Sequence, residues 1–166
     1  MPQAEWHLVG RLQSNKARQA VRAFAAIHAV DSLELLRRLD RIAAEESLAP
    51  MLLLQVNVTG EGTKAGFALT GFQDELQRHG ELREALSGMA AARVAGLMTI
   101  GPTGGDASEA RRAFATLRSL RDALEQQVGY RLAELSMGMT ADAEAAVAEG
   151  ATLVRVGTAI FGPRPG

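Results

Sequence analysis

The sequence predicts an α/β protein whose strands form a parallel sheet. Three observations support this class: short apolar runs alternate with longer segments of helical period, turn residues rather than linkers mark the joins, and one strand is apolar on both faces. That strand is MLLLQVNV at 51–58.

The elements follow in order. Residues 6–10 (WHLVG) are expected as the first strand, followed by a helix that Ser14 or Asn15 caps. Residues 27–30 form a second strand, and Asp31 with Glu34 three residues later has the spacing of a capping box, opening a helix with leucines at 33, 35, 36 and 39. After the third strand at 51–58, the turn-rich GEGTKAGF leads into a helical stretch over 70–87 with a break at Gly80. Residues 94–100 (VAGLMTI) are a strand entering the Gly-rich loop GPTGG, and 108–127 are a long helix with one apolar stripe at 110, 113, 114, 117, 120 and 124. A strand at 132–136, a helix capped by Thr140 and running to Glu149, and a last strand at 153–156 (LVRV) complete the series. Strict alternation of six strands with helices implies a parallel sheet with right-handed crossovers.

Composition narrows the function. The chain has 166 residues, 18 basic and 19 acidic side chains and no cysteine, which excludes a disulfide scaffold, a thiol nucleophile and a cysteine-ligated zinc site. A net charge of −1 provides no electrostatic drive toward nucleic acid or an anionic membrane. No apolar run reaches the ~20 residues of a membrane span, and MPQAEWHLVG lacks the features of a signal peptide. A single cytoplasmic domain over residues 1–166 is therefore expected. Only Lys16 and Lys64 are lysines; the other basic residues are arginine.

In a parallel α/β protein, ligands sit at the carboxyl ends of the strands, and two strand-end loops stand out there. One is expected at 136–140, Ser136-Met137-Gly138-Met139-Thr140, with Asp142 and Glu144 in the following helix; the other is Gly157-Thr158-Ala159-Ile160-Phe161-Gly162. Glycine for close approach, hydroxyl donors and free N–H groups at a helix start suit a phosphate dianion. The alternative for each loop is a turn-and-cap role. Arg155 lies inside an apolar strand, where a guanidinium must be paired or lie against an acceptor. It is either ion-paired with a carboxylate or a fixed donor near a ligand's anion or ring nitrogen; Asn57 is a weaker case of the same kind. His7 and His28 in different strands and His79 in a helical region make no metal-ligand spacing, and they are read as packing or surface residues. The loops EGTKAGF and GPTGG lack the ending of a P-loop and are read as solvated connections.

WHLVGRLQSNK at 6–16, VNVTGEGTKAGF at 56–67, GLMTIGP at 96–102 and LSMGMTADAEAAVAEGATLVRVGTAIFGPR at 135–164 resemble the pyridoxal phosphate homeostasis protein family. The resemblance implies the (β/α)8 barrel of the alanine racemase N-terminal type with pyridoxal 5′-phosphate (PLP) at its mouth. It implies that Ser136, Met137 and Gly138 line the phosphate, that Gly157 and Thr158 complete the cradle, and that Arg155 faces the pyridine nitrogen. Family members are carriers or regulators of PLP supply without an established turnover, with PLP-dependent apoenzymes as their expected partners. In the family a lysine that binds PLP covalently ends the first of two further N-terminal strands, and neither Lys16 nor Lys64 matches it by motif. The chain is therefore expected to be an N-terminally truncated member carrying six of the eight β/α units. Its sheet edges at 6–10 and 153–156 are expected to be unpaired. Alternatives are a racemase-like PLP enzyme and a PLP-independent interaction module on the same scaffold.

Overall fold

The computed structural model describes residues 4–78 and 80–162. The expectations for His79, for Met1 and Pro2 and for the end of the last motif fall outside them. Strands β1 (His7–Leu8), β2 (Ala26–Val30), β3 (Met51–Asn57), β4 (Phe67–Ala68), β5 (Arg93–Met98), β6 (Glu134–Met139) and β7 (Leu153–Arg155) form one sheet. Helices α1 (Ala17–Ala23), α2 (Leu33–Glu46), α3 (Leu69–Arg78), α4 (Glu81–Ser87), α5 (Ala107–Val128) and α6 (Ala143–Ala148) lie between them and α7 (Thr158–Phe161) follows β7, with a 3-10 turn at Ser14–Lys16 before α1.

Every pairing is parallel and the spatial order is β1-β2-β3-β5-β6-β7, with β4 added beside β3. Apart from β4, each strand pairs with its neighbour in the chain, the winding of a (β/α) barrel. Curvature follows from one contact. β2 and β6 are three strand spacings apart, about 14 Å on a flat sheet, yet His28 of β2 and Ser136 of β6 lie 2.8 Å apart. The sheet therefore curls into part of a barrel, with these two side chains meeting across its concave side.

Alternation divides each strand between two environments. Leu52, Leu54 and Val56 of β3 join Ile27, Val30, Val94, Leu97, Leu135 and Met137 in a core against the helices. Leu53 and Gln55, on the other face, are buried on the concave side. From the helix layer Leu35, Leu36, Leu39, Phe72, Phe114 and Leu117 close the core. The expected stripe of α5 is buried at 110, 114, 117, 120 and 124.

Several expected caps are displaced. The α2 cap is Ser32, whose hydroxyl accepts from Leu35 N at 3.3 Å; Asp31 precedes it, so Asp31 and Glu34 form no capping box. Neither Ser14 nor Asn15 caps α1, whose entry is the 3-10 turn. Thr140 does not cap α6, which starts after Asp142. A complete box, Asp106 with Glu109, opens α5. Asp40, in the middle of α2, braces a distant turn instead. Its carboxylate accepts from Ala90, Ala91 and Ala92 N at 2.8–2.9 Å and fixes the chain entering β5.

Candidate functional site

The carboxyl ends of β1, β2, β3 and β5 surround a cleft of about 580 Å³ lined by Val9, Arg11, Asp31, Gln55, Lys64 and Ile100 among others. Loop 58–66 is a partly exposed connection, as expected, but one held in shape by its own hydrogen bonds. Asn57 donates to Glu61 and Lys64 carbonyls and accepts from Thr59 and Gly60, so it shapes the loop from within. Lys64 Nζ donates to Glu61 Oε1 at 2.5 Å and Gly101 O at 2.7 Å, joining this loop to the one after β5. The Lys64 ammonium and the Thr103 contacts hold the Glu61 carboxyl well below its usual range, at about 2.

At the far side of the sheet, β6 continues to Met139, three residues beyond its expected end. Residues 136–139 are therefore strand rather than loop. SMGM has the composition of a turn, but strand pairing and burial override it. Ser136 is fully buried on the concave face. Met137 points the other way into the helix-side core. Gly138 has φ +89°, and a Cβ there would stand 2.5 Å from Ala146 Cβ, so only glycine allows the strand end to kink under α6.

The exposed loop begins at Thr140. Asp142 Oδ1 accepts from Met139 N at 2.5 Å, committing that donor. Register pairs Met139 with Arg155, so Thr140 emerges beside Val156 and Gly157. Gly157 and Thr158 are exposed; Gly157 faces open space, and Thr158 makes no side-chain hydrogen bond among the described residues.

Arg155 is half-buried. Its Nη1 donates to Ser136 Oγ at 2.9 Å and its Nη2 to Thr99 O at 2.9 Å. Among the described residues it has no ion pair, so the carboxylate-pair alternative is not realised there. Burial pushes its pKa down, and Asp142 opposes this only partly. The guanidinium is thus aimed by two neutral acceptors rather than by an opposite charge.

His7 and His28 are not isolated packing residues. His28, 2% exposed, has its Nε2 3.1 Å from His7 Nδ1 and its Nδ1 2.8 Å from Ser136 Oγ. His7 Nε2 in turn contacts Glu5 Oε1 at 3.3 Å. The rule that singled out Arg155, a polar side chain inside an apolar strand, applies equally to His28 in AIHAV; only the partner's identity required register. Burial, then the neighbouring His7 and Arg155, lower the His28 pKa from 6.5 to about 4. The folded state therefore stays neutral at His28 while the unfolded chain takes up a proton as pH falls through 6.5. Stability is expected to drop between pH 6.5 and 4, by at most about 3 kcal/mol from this group. Urea midpoints at pH 7.5, 5.5 and 4 for the native chain and His28→Phe check this: the variant should lose part of the acid slope that the carboxylates do not supply, and parallel slopes contradict it.

Among the described residues no cluster of three His, Cys, Asp or Glu is arranged to hold a metal ion, and no helix is long and apolar enough to cross a membrane.

The family described as "Alanine racemase, N-terminal domain" matches residues 1–165. A pyridoxal phosphate homeostasis protein of Synechocystis is 42% identical over 159 residues, covering 96% of this chain and 70% of that protein. One from Aquifex aeolicus is 39% identical over 160 residues, with 96% and 67% covered. PipY of Synechococcus elongatus superposes with a TM-score of 0.86 in its structure without PLP and 0.83 in that with PLP bound. The identities are 46% and 45%, covering 98% of this chain and 73% and 72% of PipY.

Proposed function

The chain belongs to the alanine racemase N-terminal domain family, among its pyridoxal phosphate homeostasis proteins, and on that premise we propose that it binds PLP and acts in cofactor supply rather than turnover. The observation that carries the reading is Arg155, a half-buried cation with no carboxylate partner among the described residues, two residues before the open Gly157-Thr158 turn. PipY is a relative with a PLP-bound structure.

The donor set suits the ligand. Gly157 admits an oxygen close to the backbone, Thr158 offers a hydroxyl, and Thr140 emerges alongside from the neighbouring strand. Ser136 serves this cradle by orienting Arg155. Met137 anchors β6 in the core and Gly138 provides the kink that turns its end toward the cradle. Arg155 donates toward the pyridine nitrogen. Bound PLP supplies an aldehyde and an electron-accepting ring, whose electron-sink power is weak when the ring nitrogen faces an arginine and stays unprotonated. The setting is the cytoplasm, and the recipients are PLP-dependent apoenzymes.

A titration of the chain with PLP and with pyridoxal tests the reading. PLP is expected to bind saturably and pyridoxal far more weakly. Gly157→Val with Thr158→Val should weaken PLP by about 1–3 kcal/mol, the contribution of donors to a charged group. Equal binding of the two ligands, or an unchanged affinity in the double variant, sinks the cradle.

A further inference from the structure

Five side chains form one continuous line. It runs from Glu5 through His7 of β1, His28 of β2 and Ser136 of β6 to Arg155 of β7, with contacts of 3.3, 3.1, 2.8 and 2.9 Å. Its ends have fixed polarity. A guanidinium only donates, so Ser136 Oγ accepts from Arg155; a carboxylate only accepts, so Glu5 must accept a hydrogen bond from His7 Nε2–H. With both imidazoles neutral, one arrangement satisfies every link. Ser136 donates its hydroxyl proton to His28 Nδ1, His28 Nε2–H donates to His7 Nδ1, and His7 Nε2–H donates to Glu5. The reverse order sets the His7 Nε2 lone pair against the carboxylate and leaves the buried Ser136 proton without an acceptor along the line. The lowered pKa of His28 agrees with a neutral ring.

We propose that His28 is a positioning residue of the site: by accepting the Ser136 hydroxyl hydrogen bond it turns an oxygen lone pair toward Arg155 and holds the guanidinium in one orientation, while His7 and Glu5 fix the His28 tautomer. This rests on the reading that Arg155 faces the PLP ring nitrogen; the tautomers themselves do not. A guanidinium held only by Thr99 O has one fixed acceptor and can swing about it; with Ser136 Oγ as well it has two, one just past β5 and one in β6. The sequence separation of the line, 108 residues between His28 and Ser136, explains why no local motif reveals it.

The experiment has two arms. In the chain without added ligand, long-range proton–nitrogen NMR correlations are expected to show His7 and His28 as neutral Nε2–H tautomers at pH 7.5. A His28 Nδ1–H tautomer overturns the proposal whether or not PLP binds. In the second arm, His28→Phe is compared with the native chain for PLP and for the analogue carrying carbon in place of the ring nitrogen. PLP affinity should fall by about tenfold, one charged hydrogen bond's worth of orientation, while analogue affinity stays within about twofold. Equal losses for both ligands reduce His28 to a structural residue and overturn its positioning role. Failure of the native chain to bind PLP defeats the proposed function, and the NMR arm then decides the tautomers alone.

Discussion

Gly96→Ala is expected to abolish cooperative folding. Gly96 lies in β5 where it pairs with Glu134 of β6, and a Cβ there would stand 1.8 Å from the Glu134 carbonyl oxygen and 2.6 Å from its carbon. Both obstacles are backbone in a parallel pair, so no rotamer change relieves them. The strands must separate, and β6 carries both Ser136 and the Met137 side chain of the helix-side core. The expected loss is at least about 4 kcal/mol, in the range where a single substitution removes most of a domain's stability. Gly71→Ala is the control. It lies in α3 with nothing within 4 Å of a new Cβ, so it should gain up to about 1 kcal/mol from helix propensity. Urea unfolding by circular dichroism reads both; a Gly96→Ala transition within about 1 kcal/mol of the native one contradicts the clash.

Arg155→Leu should separate binding from stability. Removing the guanidinium deletes the proposed donor to the ring nitrogen, and PLP affinity is expected to fall by about 1.5–3 kcal/mol, roughly 10- to 150-fold. Stability should change little or rise. The group is half-buried with no ion pair among the described residues, and burial already depresses its pKa, so a similarly sized apolar side chain relieves a desolvation penalty. The loss is limited to the Ser136 Oγ and Thr99 O partners. Arg155→Lys should not restore affinity, because a single ammonium cannot span both acceptors in the plane of the fork. PLP titration and urea midpoints on the same preparations check this; an unchanged affinity in Arg155→Leu removes the arginine from the ligand site.

The strands were legible because burial on both faces leaves uninterrupted apolar runs, and β2, β3 and β5 fall within two residues of their expected ends. Caps were less so. Asp31, Ser32 and Glu34 offer two overlapping N-terminal signals, and tertiary packing of Leu35 and Leu36 selects the one at Ser32. The two residues of β4 were hidden in a turn-rich segment, since their strand character comes only from pairing with Val56 and Asn57. Arg155 was legible as a charge in an apolar strand. Ser136, expected at the start of a loop, is a buried strand residue, because pairing with its neighbours extends the strand past the turn-like SMGM. His7 and His28 escaped because a pair formed across neighbouring strands has no fixed sequence spacing.

The order of the strands also grades the chain's resistance to local opening. β3, pairing on both sides over most of its seven residues, is the last segment expected to exchange its amide protons. β1 and β7, with two and three residues and, among the described residues, a partner on one side, open first. His7 and Arg155 ride on those two fraying ends, whereas His28 and Ser136 are set in the protected interior. A brief opening at either margin thus releases an outer member of the line while leaving its centre in place, and the line can re-form without the sheet being rebuilt.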